Sequence, residues 1–157
     1  MMTRACSEES TQAGHAVLRV RTRRFGEIEV NPERVITMTS PILGFPESRR
    51  YILRPHGADS PFLWLQSLDN PDLAFVVVQS ALIDVAYAPR LAELDREELA
   101  LASGQDAELL IILTLLPNAH PPMTANLLGP VALNPERRLA KQLLLDPAVY
   151  DIALPLE

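Results

Sequence analysis

The sequence predicts an all-β fold, a small and mostly antiparallel β-barrel or sandwich that carries one short helix. Short runs of aliphatic and β-branched residues recur about every 8 to 12 residues, which is the spacing of strands in such folds. Proline, glycine, asparagine and aspartate separate these runs and supply the turns. A single stretch carries the end signals of a helix. With 157 residues, the chain is long enough for one domain with a sizeable core.

The clearest element is a β-hairpin between residues 60 and 78. Its first arm runs from Pro61 to Leu68, and its second arm, from Leu73 to Val78, is a continuous apolar run typical of a strand buried on both faces. The residues between the arms, 69–72, are Asp, Asn, Pro and Asp, which favour a turn. A large apolar side chain stabilises a core by about 1.5 to 3 kcal/mol when it is buried. We expect three aromatic residues of this hairpin to anchor the core: Phe62, Trp64 and Phe75.

The first two strands are expected directly after a leader. Residues 1–16 are small and polar without periodicity, and they predict a disordered leader before a single β domain over residues 17–157. Apolar and polar residues alternate from Val17, and Gly26 marks a bend before a second strand that ends at Val30. The first strand carries arginines and the second glutamates, so charge pairs are expected between them.

The segments that flank the central hairpin predict further strands and one closing hairpin. Before it, strands are expected at 35–39 and 50–54, separated by a loop with two prolines and a glycine. After it, a long buried strand runs from Glu108 to Leu116 and another from Met123 to Leu128. The last expected elements are a hairpin with arms at 130–134 and 139–145.

The predicted helix lies in an acidic stretch. Asp95 is a suitable N-cap, Glu98 completes a capping-box pattern three residues later, and Gly104 ends the helix. Such a run is either a solvated face or a contact surface for a basic partner. Six acids and one base occupy residues 93–108, and the acids are Glu93, Asp95, Glu97, Glu98, Asp106 and Glu108.

Composition and charge narrow the classes of function. The net charge is −6, with nine bases and six acids in residues 1–54 but five bases and fourteen acids in residues 55–157. An acidic surface argues against direct binding of nucleic acid and suits a basic protein partner. No stretch has the roughly 18 consecutive apolar residues of a membrane span. With Cys6 as the single cysteine, an intramolecular disulfide is excluded, and we expect a cytoplasmic protein.

The residue types of a hydrolase triad occur close together in one turn. His56, Asp59 and Ser60 could serve as base, orienting acid and nucleophile, but a triad also needs an oxyanion hole and a spatial arrangement that adjacent turn residues rarely supply. Turn chemistry is the favoured interpretation, and a small hydrolase that uses the His56 loop is kept as an alternative. His15, His56 and His120 lack the spacing of a metal site, so neither a metal nor another cofactor is expected.

Five segments carry a resemblance to a known family. In order along the chain they are 24–30, 42–45, 60–75, 123–130 and 134–142, the last followed by Leu145. They resemble the signature segments of the FliW family of bacterial flagellar assembly factors, and together they cover about residues 18 to 153. The chain departs from the family pattern in Gln79-Ser80-Ala81, where a proline is usual, and in Ala140 and Ala153, where glycine and arginine are preferred.

The resemblance implies a partly open barrel and a regulator that works by binding and not by catalysis. Proteins of this family bind the basic translational repressor CsrA and also bind flagellin, in the manner of a chaperone, so that flagellin synthesis follows flagellum assembly. A generic β-barrel interaction module with another client remains an alternative. The candidate partner-binding residues are the six acids of 93–108 together with Met123, Thr124, Asn126 and Leu127.

Overall fold

The computed structural model describes residues 17–119 and 122–156, and the predicted leader at 1–16 lies outside the described residues. Within these ranges the chain forms ten β-strands, one α-helix and two short 3-10 helices. The strands are β1 (Leu18–Thr22), β2 (Gly26–Val30), β3 (Ile36–Ser40), β4 (Arg50–Pro55), β5 (Leu63–Ser67), β6 (Ala74–Gln79), β7 (Glu108–Leu115), β8 (Met123–Asn134), β9 (Leu139–Gln142) and β10 (Leu154–Leu156), the α-helix is α1 (Glu93–Glu98), and the 3-10 helices are Pro32–Arg34 and Ser80–Leu82.

Seven of the strands close into a barrel. Their order is β9-β3-β4-β5-β6-β7-β8, and β8 pairs back onto β9, which completes the ring. Every neighbouring pair is antiparallel except β3 and β9. The seam between β3 and β4 is short, with Ile36 opposite Tyr51 and Thr37 opposite Arg50. The all-β class with one short helix is confirmed, and the closed ring decides for a barrel over a sandwich.

The barrel interior is the main hydrophobic core. Strand alternation turns Leu63 and Leu65 of β5 inward, and Leu65 is almost completely buried. Each fully buried aliphatic side chain contributes about 1.5 to 3 kcal/mol, so this interior is the largest single source of stability. The buried residues of the interior are Ile36, Met38, Ile42, Tyr51, Leu65, Val77, Leu110, Val131, Leu133 and Ala140.

The three expected aromatic anchors lie in different environments. Phe75 packs against the barrel interior, with its ring centroid 6.3 Å from that of Tyr51. Phe62 and Trp64 are half-buried on the outside of the barrel, because the inward turn of Leu63 and Leu65 sends the alternate residues of β5 outward. The position of Trp64 therefore differs from the central-core position that the sequence predicts.

The hairpin β1–β2 covers the outer face of β4. Ile28 and Val30 pack there against Ile52. The expected cross-strand charge pairs form on its exposed face, where the Arg19 guanidinium lies 3.8 Å from Glu27 and 3.3 Å from Glu29. Because these groups are largely exposed to solvent, each pair contributes a fraction of a kcal/mol.

The helix α1 is shorter than the sequence predicts and is not capped as expected. It spans Glu93–Glu98, and its N-cap residue, Ala92, makes no side-chain capping bond. Asp95, predicted as the N-cap, lies inside the helix, so the capping-box prediction is wrong. The helix is held by tertiary contacts instead, since Leu99 at its end is completely buried against Ala132 and Leu143.

Candidate functional site

Two of the six candidate acids are bonded within the protein. Lys141 of β9 donates from Nζ to Asp95 Oδ1 at 2.8 Å and to Glu98 Oε1 at 3.0 Å. The other oxygen of Glu98, Oε2, accepts hydrogen bonds from the hydroxyls of Thr39 and Ser40 on β3. We call this set of five residues the α1 clasp. It ties the helix to β9 and β3, so the carboxylates of Asp95 and Glu98 act as structural partners.

The hydrogen bonds of the α1 clasp shift the ionisation of its members. Bonds from Thr39 and Lys141 lower the pKa of Glu98, and the bonds to Asp95 and Glu98 raise the pKa of Lys141 despite its partial burial. Both shifts favour the charged forms. The carboxylate and the ammonium group therefore coexist over a wider pH range in the folded protein than in the unfolded chain.

Of the other four candidate acids, three are exposed to solvent and one is half-buried. Glu93, Glu97 and Asp106 are exposed, and we call these three residues the acidic face. Glu93 and Asp106 line one open groove of about 630 Å³, together with Arg90 and Arg96. Glu108 is half-buried at the start of β7. The structure thus brings Glu93 and Asp106 together at one groove. Asp95 and Glu98 belong to the α1 clasp instead.

Basic residues next to the acidic face are part of its electrostatics. Arg96 uses its Nη2 atom to donate to the carbonyl oxygens of Ala102 and Gln105, both at 2.9 Å, and so orders the loop that follows the helix. Arg90 is exposed at the edge of the same groove. The charge run of the sequence is consequently a surface of mixed sign, with its negative charge concentrated at Glu93, Glu97 and Asp106.

The second candidate segment, 123–127, leads into a sharp bend in β8. Leu110 of β7 lies opposite Val131 of β8, but Ile112 lies opposite Asn126, so two steps along β7 correspond to five along β8. The backbone of residues 127–130 leaves the ladder there, and we call the segment 126–130 the β8 corner. The sequence predicted two strands with a break at Gly129, whereas the structure has one bent strand over Met123–Asn134.

Asn126 closes the β8 corner from inside. Its Oδ1 atom accepts hydrogen bonds from the backbone N–H groups of Leu128 at 3.1 Å and Gly129 at 2.8 Å. Both donors would otherwise lack a partner in the bulge, and a buried unpaired N–H costs about 1 to 3 kcal/mol. A Cβ atom on Gly129 would lie 2.7 Å from Nε2 of Gln142, so a larger residue at this position would displace the end of that side chain.

The carbonyl groups of the β8 corner are also bonded. Tyr87 donates its hydroxyl proton to the oxygen of Leu127 at 2.7 Å, and Gln142 donates from Nε2 to the oxygen of Gly129 at 3.0 Å. Leu145 donates its N–H to the oxygen of Leu128 at 2.9 Å. Burial raises the pKa of Tyr87, with a smaller contribution from Tyr150, and keeps the phenol protonated as a donor.

The other residues of segment 123–127 contact the chain itself. Thr124 is paired with Pro155 of β10 on one side and with Thr114 of β7 on the other. Met123 packs on the outer hydrophobic cluster of the sheet, and Leu127 is buried in that cluster. Contacts within the fold therefore account for the residue types at these positions, and contact with a partner is not needed to explain them.

The His56 loop forms a turn supported by aromatic contacts. The backbone N–H of His56 donates to the oxygen of Phe62 at 3.1 Å, and the N–H of Phe62 donates to Oγ of Ser60 at 3.2 Å. The imidazole lies against the rings of Phe62 and Trp64, with centroid distances of 6.1 and 6.0 Å. In the described part of the chain, no hydrogen bond joins the side chains of His56, Asp59 and Ser60.

Residues 17–119 and 122–156 contain no group of three histidine, cysteine, aspartate or glutamate side chains arranged to hold a metal ion. None of the helices in the same ranges has the length and apolar character that a membrane span requires.

Comparison with known proteins identifies the family. The model of the FliW protein family matches residues 19–156. The chain belongs to the FliW family. The flagellar assembly factor FliW of Geobacter sulfurreducens is 41% identical over 138 residues, which cover 88% of this chain and 86% of the relative. The corresponding protein of Bdellovibrio bacteriovorus is 38% identical over 126 residues, which cover 80% of this chain and 71% of the relative.

A crystal structure of the flagellar assembly factor FliW has the same fold. It superimposes with a TM-score of 0.78 at 31% sequence identity, and the match covers 89% of this chain and 97% of the other. The resemblance to the FliW family that the sequence predicts is confirmed, and so is the small β-barrel that it implies, although the ring of seven strands is closed and not partly open.

The segments that begin at 123 and 134, two of those on which the resemblance was based, both contain bends in the backbone. Asn126 closes the β8 corner, and Asn134, which is completely buried, has a parallel role at the end of β8. Asn134 donates from Nδ2 to the oxygens of Leu99 and Ala100, and its Oδ1 accepts from the N–H of Glu136. The buried asparagine therefore ties the end of α1 to the turn between β8 and β9.

Sequence reasoning missed the partners of these residues. Lys141 of the α1 clasp, and Tyr87 and Gln142 of the β8 corner, carry no local signal that links them to residues about 13 to 46 positions away. The one sequence signal that could have pointed to Lys141 is its residue type, since it is the single lysine in a chain whose other basic residues are arginines.

Proposed function

We propose that this flagellar assembly factor is a regulatory binding protein that antagonises a CsrA-like translational repressor and also binds flagellin, so that flagellin synthesis is coupled to flagellum assembly. The observation that carries the proposal is the match to the FliW family over residues 19–156. The protein acts in the cytoplasm, where messenger RNA and unsecreted flagellin are both present. It works by binding alone, without a catalytic step or a cofactor.

The charge of the acidic face is suited to contact with a basic partner. Glu93, Glu97 and Asp106 are exposed, and none of the described residues forms a salt bridge with them. A repressor that binds RNA presents positive charge, and complementary charge at the edge of an interface raises the association rate more than the final affinity. Asp95 and Glu98 leave the proposed contact set because the α1 clasp uses their carboxylates.

Met123, Thr124, Asn126 and Leu127 contribute to the proposed function indirectly. Their side chains serve the β8 corner and the contact with β10, and the corner in turn orders residues 143–145 next to α1. A substitution there would change partner binding through the fold. The acidic face would change it through contact.

Exclusive partnerships give the regulation. When flagellin occupies the protein, less of it is free to bind the repressor, and secretion of flagellin releases it again. This is a linked equilibrium. Its coupling free energy is the amount by which bound flagellin changes the free energy of binding of the repressor.

The proposal is tested by measuring association of purified CsrA with a charge-reversal variant. Glu93→Lys combined with Glu97→Lys inverts the acidic face and leaves the α1 clasp intact. The matched control combines Glu47→Lys with Glu136→Lys, two exposed glutamates on other loops, and has the same net charge. We expect the first variant to associate about tenfold more slowly at low salt, and this difference to shrink as salt screens the charges.

Equal association rates for wild type, test variant and control would remove the acidic face from the interface. The partner claim has its own test, in which wild-type protein is mixed with CsrA and increasing amounts of flagellin. We expect flagellin to displace CsrA. Failure of the wild-type protein to bind either of them would reject the proposed function itself.

A further inference from the structure

An apolar groove on the outside of the barrel is left uncovered by residues 17–119 and 122–156. It has a volume of about 150 Å³ and is lined by His56, Phe62, Trp64, Val76 and Leu115, and we call it the outer groove. Leu115 at the end of β7 is 52% exposed. On one side the hairpin β1–β2 covers β4, and on the other Tyr87 and Tyr150 cover the outer cluster of β7 and β8. The outer groove lies between these two covered regions.

Two arginines that form no salt bridge with any described residue border the outer groove. The guanidinium of Arg24 lies 4.0 Å from the centre of the Trp64 ring, and that of Arg54 lies 4.6 Å from the centre of the Phe25 ring. The Phe25 and Trp64 rings meet edge to face, with their centroids 6.2 Å apart. Arg24 therefore stacks on a ring that lines the outer groove, and Arg54 stacks on the ring beside it.

The local charge is positive although the protein as a whole is acidic. Among residues 17–119 and 122–156, neither Arg24 nor Arg54 forms a salt bridge, whereas Arg19 and Arg50 do. Asp72 shares the lining of a neighbouring cavity of about 260 Å³ with Arg23 and Arg24, without an ion pair to either. The excess of arginine over acid therefore remains unpaired at this edge.

We propose that the outer groove binds an acidic, amphipathic segment of a partner protein. One aliphatic or aromatic side chain enters the groove, whose volume suits a group of about the size of benzene. Carboxylates beside that anchor meet Arg24 and Arg54, which present planar donors suited to carboxylate oxygens. An anchor in an apolar pocket with charges at its rim is the usual anatomy of a small binding site for a peptide.

The aromatic geometry favours a peptide over a single-stranded nucleic acid. Stacking of bases requires an open ring face. One face of Trp64 is occupied by Arg24, and the rings of Phe25 and His56 lie against the tryptophan as well. Apolar insertion beside the ring needs no free face, and the outer groove offers the space for it.

The outer groove is separate from the acidic face and takes the opposite charge. It is lined by β5, β6, β7 and the loop between β4 and β5, with the turn of β1–β2 beside it, whereas the acidic face lies on α1 and the loop before β7. The proposal goes beyond the proposed function and does not depend on it, because it concerns the charge and shape of a different surface.

The intrinsic fluorescence of Trp64 tests the proposal directly, since this is the single tryptophan of the chain and it lines the outer groove. The probes are short synthetic peptides with one leucine, isoleucine, phenylalanine or methionine between glutamates. Matched peptides carry lysine in place of each glutamate or alanine in place of the apolar residue, and a thymidine oligonucleotide represents nucleic acid. Anisotropy of the labelled peptides gives a second readout that does not depend on the tryptophan.

We expect at least one acidic peptide to bind saturably and to change the Trp64 emission, while its lysine and alanine counterparts do not. Arg24→Gln combined with Arg54→Gln should weaken binding about tenfold or more, and so should Leu115→Glu, a change at an exposed residue. The matched control, Arg90→Gln with Arg137→Gln, removes two exposed arginines elsewhere and should bind as wild type does.

Thermal melts of all variants separate loss of the site from loss of the fold. The proposal is overturned if no acidic peptide binds, if the lysine peptides bind equally well, or if the oligonucleotide binds in their place. It is also overturned if the control loses as much affinity as the Arg24 and Arg54 variant. CsrA binding is measured on the Arg24 and Arg54 variant and on Leu115→Glu, which leave the acidic face unchanged, and it should equal that of wild type, so a failure here is distinct from a failure of the proposed function.

Discussion

The β8 corner and the α1 clasp are both polar regions, but their polar groups have different partners. In the corner, Asn126 bonds to backbone N–H groups that the bulge takes out of the ladder. In the clasp, Lys141 bonds to carboxylates at the barrel surface, where its side chain is still 16% exposed. A buried backbone group must be paired, whereas a surface ion pair is optional. The corner therefore supports the fold, whereas the clasp fixes the position of one helix.

The largest expected change in the free energy of unfolding follows removal of the Asn126 side-chain carbonyl. Asn126→Ala leaves the N–H groups of Leu128 and Gly129 without their acceptor and should lower the free energy of unfolding by about 2 to 4 kcal/mol. Urea unfolding followed by circular dichroism measures it. Asn126→Asp keeps an acceptor oxygen at the same position and is the matched control, with a smaller expected loss. Equal losses for the two variants would contradict the role given to Oδ1.

A substitution at Gly129 tests how closely the corner is packed. In Gly129→Ala the new methyl group displaces Gln142, which loses its bonds to the oxygen of Gly129 and the N–H of Leu43. We expect a loss of about 1 to 2 kcal/mol in the free energy of unfolding. In a Gln142→Ala background the same change should cost less, because the displaced side chain is absent. Additive losses in this double-mutant cycle would show that the two residues do not interact.

The cation of the α1 clasp is expected to matter less. Lys141→Met keeps the length of the side chain and removes its charge, so Asp95 and Glu98 lose their common partner. The free energy of unfolding should fall by about 1 kcal/mol, because these carboxylates remain partly solvated. Hydrogen exchange of α1 should rise more than that of β5. A loss as large as that of Asn126→Ala would erase the contrast between the two regions.

The pH dependence of the clasp is the smallest expected effect. The pKa of Glu98 is lower in the folded protein than in the unfolded chain, so its contribution is complete above the unfolded pKa and is lost as the pH falls through the folded pKa. The pKa of Lys141 is raised, so its contribution is lost only as the pH rises through that raised value. We expect the stability difference between wild type and Glu98→Gln to shrink on acidification. Glu47→Gln is the control, and parallel curves for all three proteins would contradict the assignment.

The class of fold, the approximate strands and the family could all be predicted from local patterns in the sequence. Alternation of apolar residues, β-branched runs and turn residues act over a few positions, so β1 and β2 could be read locally with Gly26 at their bend. The central hairpin was predicted in the same way, and it appears as β5 and β6 with the turn between them. The family could be predicted because its signature segments are also local patterns.

Contacts between distant parts of the chain set which face of a strand points inward and which polar residues remain available to a partner. Closure of the barrel turned Leu65 inward and Trp64 outward, a choice that local alternation leaves open because either face can be apolar. Glu98 became a structural partner because folding brings it to Lys141, 43 residues further along the chain. Asn126 became a corner residue because a bulge removed neighbouring N–H groups from the ladder. In each case the deciding contact is distant in sequence, and short-range propensity carries no information about it.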